Sequence, residues 1–168
     1  MSFFASRAFI EGCKTEKDET GKEANPGDLI EIFSVAYSHW AVYIGNGFIV
    51  HFGRPGALSG SISLIGDGIV MKEKLQKVAG NNRWRVNNIL DEKYTPLSPD
   101  EIVKKACSLV GASLQYNLEE YNCEHFATEM RYGKPESRQV LEVQKETFVI
   151  FAGLWLIVGI GILRALRS

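Results

Sequence analysis

The sequence lacks the cysteine pairs, the charge imbalance and the leader segment that would mark several broad classes. Its three cysteines, Cys13, Cys107 and Cys123, are odd in number and widely spaced, with no Cys-x-x-Cys pair. That argues against a disulfide framework and a zinc knuckle, and fits a reducing, cytosol-facing environment. Formal net charge is −1, and no Lys/Arg run is interleaved with aromatics, so nothing marks a nucleic-acid surface. The N-terminus is no secretory signal: Ser6 and Arg7 break its apolar stretch, and the charged run Glu11–Glu23 follows. Internal repeats and low-complexity tracts are absent.

What is there suits one compact domain of about 100–150 residues with appendages. Residues 1–24 read as a flexible N-terminal extension, in which Cys13 is incidental. Asn25-Pro26-Gly27-Asp28 is a turn signal that opens the domain. Leu29–Phe33, His39–Ile44 and Phe48–Phe52 read as strands, the last two around Gly45-Asn46-Gly47. Trp40, Val42 and Ile44 in one strand and Phe48, Val50 and Phe52 in the next all occupy even positions. An odd-length connection pairs even with even and puts all six on one core face. His51 then sits opposite Ala41 and diagonal to His39, and diagonal neighbours lie roughly 7–8 Å apart. Both histidines can therefore belong to one site.

Gly53–Gly68 reads as a surface loop. Ile69–Leu75 and Arg83–Ile89 read as strands, with Trp84 at the surface between Arg83 and Arg85; lipid contact by that loop or by Trp84 is the alternative. Ser98-Pro99-Asp100-Glu101 is a helix start, and Ile102, Val103, Ala106, Leu109 and Val110 keep helical spacing to Gly111. Cys107 falls in this sector and is expected to be buried packing. A second helix runs from Asn122 to Tyr132 and stops at Gly133.

With Asn122 as N-cap, Cys123 is a first-turn residue, where free N–H groups and the positive helix end favour a thiolate. Cys123, Phe126, Ala127 and Met130 share one helical face, which turns the thiol toward the body of the domain. The competing reading is one more core cysteine. His125 is closest in sequence, but two helical residues subtend about 200°, so it points away and is expected to make a structural hydrogen bond. His39, at the start of a strand, is the better base, and His51 the third member that fixes its tautomer. Zinc held by Cys123, His39 and His51 is the weaker reading, because the close ligand pairs of such sites are missing.

These residues carry a resemblance. Pro26-Gly27-Asp28-Leu29-Ile30-Glu31, His39-Trp40-Ala41-Val42-Tyr43-Ile44-Gly45, Val50-His51, Asn122-Cys123-Glu124-His125-Phe126 and Arg131-Tyr132-Gly133 resemble the lecithin:retinol acyltransferase-like family. The nearest group is its small phospholipase A and acyltransferases, also called HRAS-like suppressors. The resemblance implies an α+β, circularly permuted papain-like fold, an antiparallel sheet packed on helices, with the histidine strand before the cysteine helix. It implies Cys123 as nucleophile, His39 as base, His51 as third member and Tyr37 beside the oxyanion site. It also implies a calcium-independent phospholipase A1/A2 and acyltransferase, passing an acyl chain through a cysteine thioester to water, phosphatidylethanolamine or a lysophospholipid, with no cofactor and no metal. Two departures adjoin the site. Ser38 stands where relatives often carry a basic or amide residue, and Phe52-Gly53-Arg54 replaces an apolar-proline stretch.

Residues 134–146 read as a linker and 164–168 as a short basic tail. Between them the apolar run Thr147–Leu163 spans about 25 Å as a helix, the short end of the transmembrane range. It is expected to be a single-pass C-terminal membrane anchor with the catalytic domain in the cytoplasm; a buried core helix is the competing reading. The competing functions are a cysteine (iso)peptidase on a similar permuted fold and a non-catalytic, membrane-anchored interaction module.

Overall fold

The computed structural model describes residues 16–34, 37–54, 65–142 and 144–145, with Ile65 described in backbone only. Cys13, positions 55–64 of the expected surface loop and the apolar run Thr147–Leu163 lie outside the described residues. The chain divides after Glu136. In the second unit, helical turns at 138–142 replace part of the expected 134–146 linker, and the Ser137 hydroxyl accepts from the Val140 N–H at 3.3 Å.

The first unit is α+β. Strands β1 (Leu29–Phe33), β2 (Ser38–Gly45), β3 (Phe48–Gly53), β4 (Ile65–Lys74), β5 (Trp84–Val86) and β6 (Ser113–Asn117) form one sheet in the order β5-β1-β2-β3-β4-β6. Every adjacent pair is antiparallel. Three helices complete it: α1 (Leu75–Ala79), α2 (Pro99–Ser108) and α3 (Cys123–Tyr132).

The β2–β3 hairpin has the register that the buried face demands. Val42 faces Val50, Tyr43 faces Ile49 and Ala41 faces His51. Gly45, Asn46 and Gly47 all have positive φ, a turn that glycine and asparagine tolerate with least strain. A register shift between Tyr43 and Gly45 then displaces Phe48, which was expected in the core. Its half-buried ring lies under the Lys72 and Lys74 ammonium groups, 5.2 and 3.8 Å from its centroid.

Both faces of the sheet are covered. On one, Trp40, Val42, Val50 and Phe52 pack with Ile102 and Ala106 of α2 and with Phe126, Ala127 and Met130 of α3. On the other, Ala41, Tyr43 and Ile49 pack with Ile30, Ile32, Leu75, Val78, Ala79, Trp84 and Val86. The histidine face is therefore a second core. Trp84 is not at the surface: alternation on an edge strand turns Trp84 and Val86 inward and Arg85 outward. The strand expected over Arg83–Ile89 is only three residues long.

The capping chemistry of α2 is as expected. The Ser98 hydroxyl accepts from the Glu101 N–H, the Glu101 carboxylate accepts from the Ser98 N–H, and Pro99 fills the first turn. Cys107 is exposed, not packed. Ile102 and Ala106 set the buried stripe, and Cys107 lies about 140° around the helix from Ile102.

Residues 16–24, expected within a flexible extension, are tied to the sheet. The Asp18 carboxylate accepts from the N–H groups of Thr20 and Lys22 at 2.8 and 3.0 Å, and from the Val86 N–H at 3.0 Å. Lys17 bridges Glu23, and Ala24 is buried. Residues 65–68 extend β4 into the expected loop, because they pair with β6.

Candidate active site

Helix α3 is built to present its first residue. The Asn122 side chain accepts from the Glu124 and His125 N–H groups at 2.8 and 3.1 Å, and His125 Nδ1 accepts from the Asn122 N–H at 3.2 Å. His125 thus makes the expected structural hydrogen bond. At the other end Gly133 takes φ 70° and its N–H donates to Glu129 O. Arg131 clamps the last turn by paired hydrogen bonds to Asp91 at 2.9 and 2.8 Å and one to Gly27 O at 2.8 Å. The fixed fork of a guanidinium makes such a pair directional as well as strong.

Cys123 faces inward, 2% exposed. Burial pushes its thiol up to about 11, against the pull of the Trp40, Glu124 and Cys123 N–H groups on the sulfur. The helix end was expected to favour a thiolate. Desolvation of a buried anion outweighs those amides, so burial here favours the neutral thiol.

His39 and His51 are brought together. His39 Nε2 and His51 Nδ1 are 3.0 Å apart, with the rings nearly perpendicular. The amide that donates toward the Cys123 sulfur belongs to Trp40, the residue after His39 on β2. The Gly53 backbone closes over His39: a Cβ there would lie 3.6 Å from His39 Cε1. Burial, then the neighbouring His51, lowers His39 to about 3. Burial also lowers His51, against the opposing pull of Glu73.

Two residues absent from the sequence reading extend this line. His51 Nε2 lies 3.2 Å from Glu73 Oε2, and Lys77 pairs with the other Glu73 oxygen. The Lys77 hydrogen bond is the main force holding the Glu73 carboxyl below its usual range, so Glu73 is ionised and accepts only. Proton bookkeeping follows. His51 must carry its proton on Nε2 and accept at Nδ1, so His39 carries its proton on Nε2. The lone pair of His39 is then on Nδ1. Glu73 comes to His51 through the β3–β4 pairing: Met71 faces His51 and Ile49 faces Glu73, which makes Glu73 diagonal to His51.

Tyr116 is the other residue missed. Its hydroxyl is hydrogen-bonded to Cys123, and burial, then the charge a thiolate would carry, raises its pKa. Tyr37 is half-buried, with its pKa raised by burial and by the same sulfur. Among the described residues no cluster of His, Cys, Asp and Glu is arranged to hold a metal ion.

The domain is α+β, with two imidazoles hydrogen-bonded on its strands and a buried thiol in the first turn of α3. Residues 22–136 match the family model described as Lecithin retinol acyltransferase, and the chain belongs to that family. Among its relatives is the mouse protein named phospholipase A and acyltransferase 3, 42% identical over 147 residues, covering 84% of this chain and 91% of that protein. The human protein of the same name is 44% identical over the same shares. Human phospholipase A and acyltransferase 4 is 41% identical over 145 residues, 82% of this chain and 88% of that protein.

Proposed function

We propose that this chain is a cysteine-dependent phospholipase A and acyltransferase, with Cys123 as nucleophile, His39 as base and His51 as its orienting partner. The observation that carries the reading is the hydrogen-bonded line Glu73–His51–His39, which ends on the strand whose Trp40 amide touches the Cys123 sulfur. The names of the relatives support the substrate class.

In the first step the Cys123 sulfur attacks the acyl carbon of a phospholipid ester, and its proton passes to His39 Nδ1. The two events are coupled, because neither a free thiolate nor a free imidazolium is stable at this burial. Hydroxyls of Tyr37 and Tyr116 stand near the sulfur to donate to the developing oxyanion. Collapse breaks the ester C–O bond, and His39 returns the proton to the departing lysophospholipid oxygen. The acyl group is left as a thioester on Cys123. Water, the amine of phosphatidylethanolamine or a lysophospholipid hydroxyl then attacks the thioester and gives its proton to His39. The thiol leaves as the sulfur regains that proton.

The apolar run Thr147–Leu163 serves this function as a C-terminal membrane anchor that holds the domain at its substrate from the cytosolic side. Among the described residues no helix is long and apolar enough to cross a membrane.

The test is mass spectrometry of products from the full chain on phosphatidylcholine, with and without phosphatidylethanolamine, beside a peptide substrate. Fatty acid and N-acylated lipid are expected, and both vanish in Cys123→Ser while the protein still folds. Full activity in that variant sinks the thioester scheme, and turnover of peptide alone assigns a peptidase.

A further inference from the structure

Just past the end of β3, Arg54 has no anionic partner among the described residues. Phe52 packs against Tyr116, Tyr121 and Phe126 on the α3 side of the sheet, with ring centroids 5.3, 5.7 and 6.0 Å away. Side chains alternate along a strand, so Arg54, two residues on, emerges on that same side. Its guanidinium lies on the backbone of β4 at Gly66. A Cβ at that glycine would stand 3.2 Å from the guanidinium carbon and 3.4 Å from Nη2. Gly66 in turn pairs with Tyr116, whose hydroxyl is bonded to Cys123. The residue between Phe52 and Arg54 is Gly53, which abuts His39.

Arg54 is half-buried, and its guanidinium has no ion-pair or hydrogen-bond partner among the described residues. The contrast within the same unit is plain: Arg83 pairs with Glu19, Arg85 with Glu31 and Arg131 with Asp91. A half-buried guanidinium with five donors and no acceptor among the described residues favours an anion, and its planar fork matches two phosphate oxygens at once.

We propose that Arg54 is a phosphate subsite of the active centre: its guanidinium, laid along the bare backbone of β4 at Gly66, binds the phosphodiester of the lipid whose acyl ester lies at Cys123. The inference rests on the phospholipid reading above. A phosphodiester is one glycerol unit from the ester, and Arg54 is one strand pairing from the tyrosine that touches the sulfur. The glycines at 66 and 68 clear the strip between: Phe52 occupies the space over Gly68, and Arg54 that over Gly66.

The experiment compares two esters with identical short acyl chains, phosphatidylcholine and diacylglycerol, both kept below their critical micelle concentrations so that surface binding plays no part. In the full chain, Arg54→Gln is expected to lower the ratio of kcat/KM on phosphatidylcholine to that on diacylglycerol by about tenfold or more. Arg54→Lys keeps the charge without the fork and is expected to fall between. A ratio unchanged in both variants overturns the subsite. Inhibition by inorganic phosphate that Arg54→Gln abolishes, with the ratio unchanged, assigns the cation to free phosphate and overturns the lipid assignment. Absence of wild-type turnover on either ester removes the phospholipid reading itself, whereas turnover without discrimination by Arg54 removes the subsite alone.

Discussion

At the scale of single residues, the proposed base His39 is oriented through His51 by the Glu73 carboxylate. Glu73 accepts from His51, and this choice, passed through one ring, decides which nitrogen of His39 is free. Glu73→Gln offers His51 a donor as well as an acceptor and so permits the wrong tautomer. Its kcat is expected to fall about tenfold to hundredfold with KM little changed. Steady-state kinetics check this, and a kcat within twofold of wild type would remove Glu73 from the mechanism.

The same buried imidazole sets a stability slope. Burial holds His39 at about 3, below the ordinary histidine value of 6.5. Between those values the unfolded chain binds a proton that the native one refuses, so stability falls as pH falls. The slope from this group approaches about 1.4 kcal/mol per pH unit. Urea midpoints at pH 7 and pH 5 measure it, and His39→Gln should flatten it. The placements of Cys123, His39 and His51, though not their roles, were legible in the sequence because each needed only local information: a helix start, a strand start and a hairpin register. Glu73 and Tyr116 were not, because each reaches the site through a strand pairing remote in sequence.

At the scale of elements, capping and turn chemistry were readable, and tertiary pairing was not. The starts of α2 and α3, the stop at Gly133 and the pairing of β2 with β3 all follow from short-range signals. The segment Ser113–Asn117 alternates polar with apolar residues but is short, and it becomes β6 by pairing with β4. Helix α1 is five residues long and has no side-chain cap; burial of Leu75, Val78 and Ala79 holds it. The glycine strip in β4 makes a sharp prediction. A Cβ at Gly68 would lie 2.5 and 2.7 Å from Phe52 ring carbons and 3.2 Å from Tyr116 Cβ. Gly68→Ala is expected to cost about 1–3 kcal/mol, read from chemical denaturation. It also lowers activity by displacing Tyr116.

At the scale of the whole molecule, the domain begins earlier than its first turn signal. The Asp18 carboxylate fastens residues 16–24 to Val86, a contact that links an apparently charged, featureless stretch to the edge of the sheet. The apolar run Thr147–Leu163 belongs to this scale too. Deleting residues 147–168 should release the domain from membranes in a pelleting assay. The deletion should reduce turnover on bilayers more than on dispersed lipid. Unchanged pelleting would place the anchor elsewhere.

In the proposed mechanism the nucleophile Cys123 rides on a helix and its base His39 on a strand, and packing with the Trp40 amide on the sulfur holds helix to strand. A slight loosening of that seam parts sulfur from imidazole while the sheet, its two cores and the Arg131 clamp remain intact. Heat should therefore silence the chemistry some degrees before it melts the protein, and cooling should restore it.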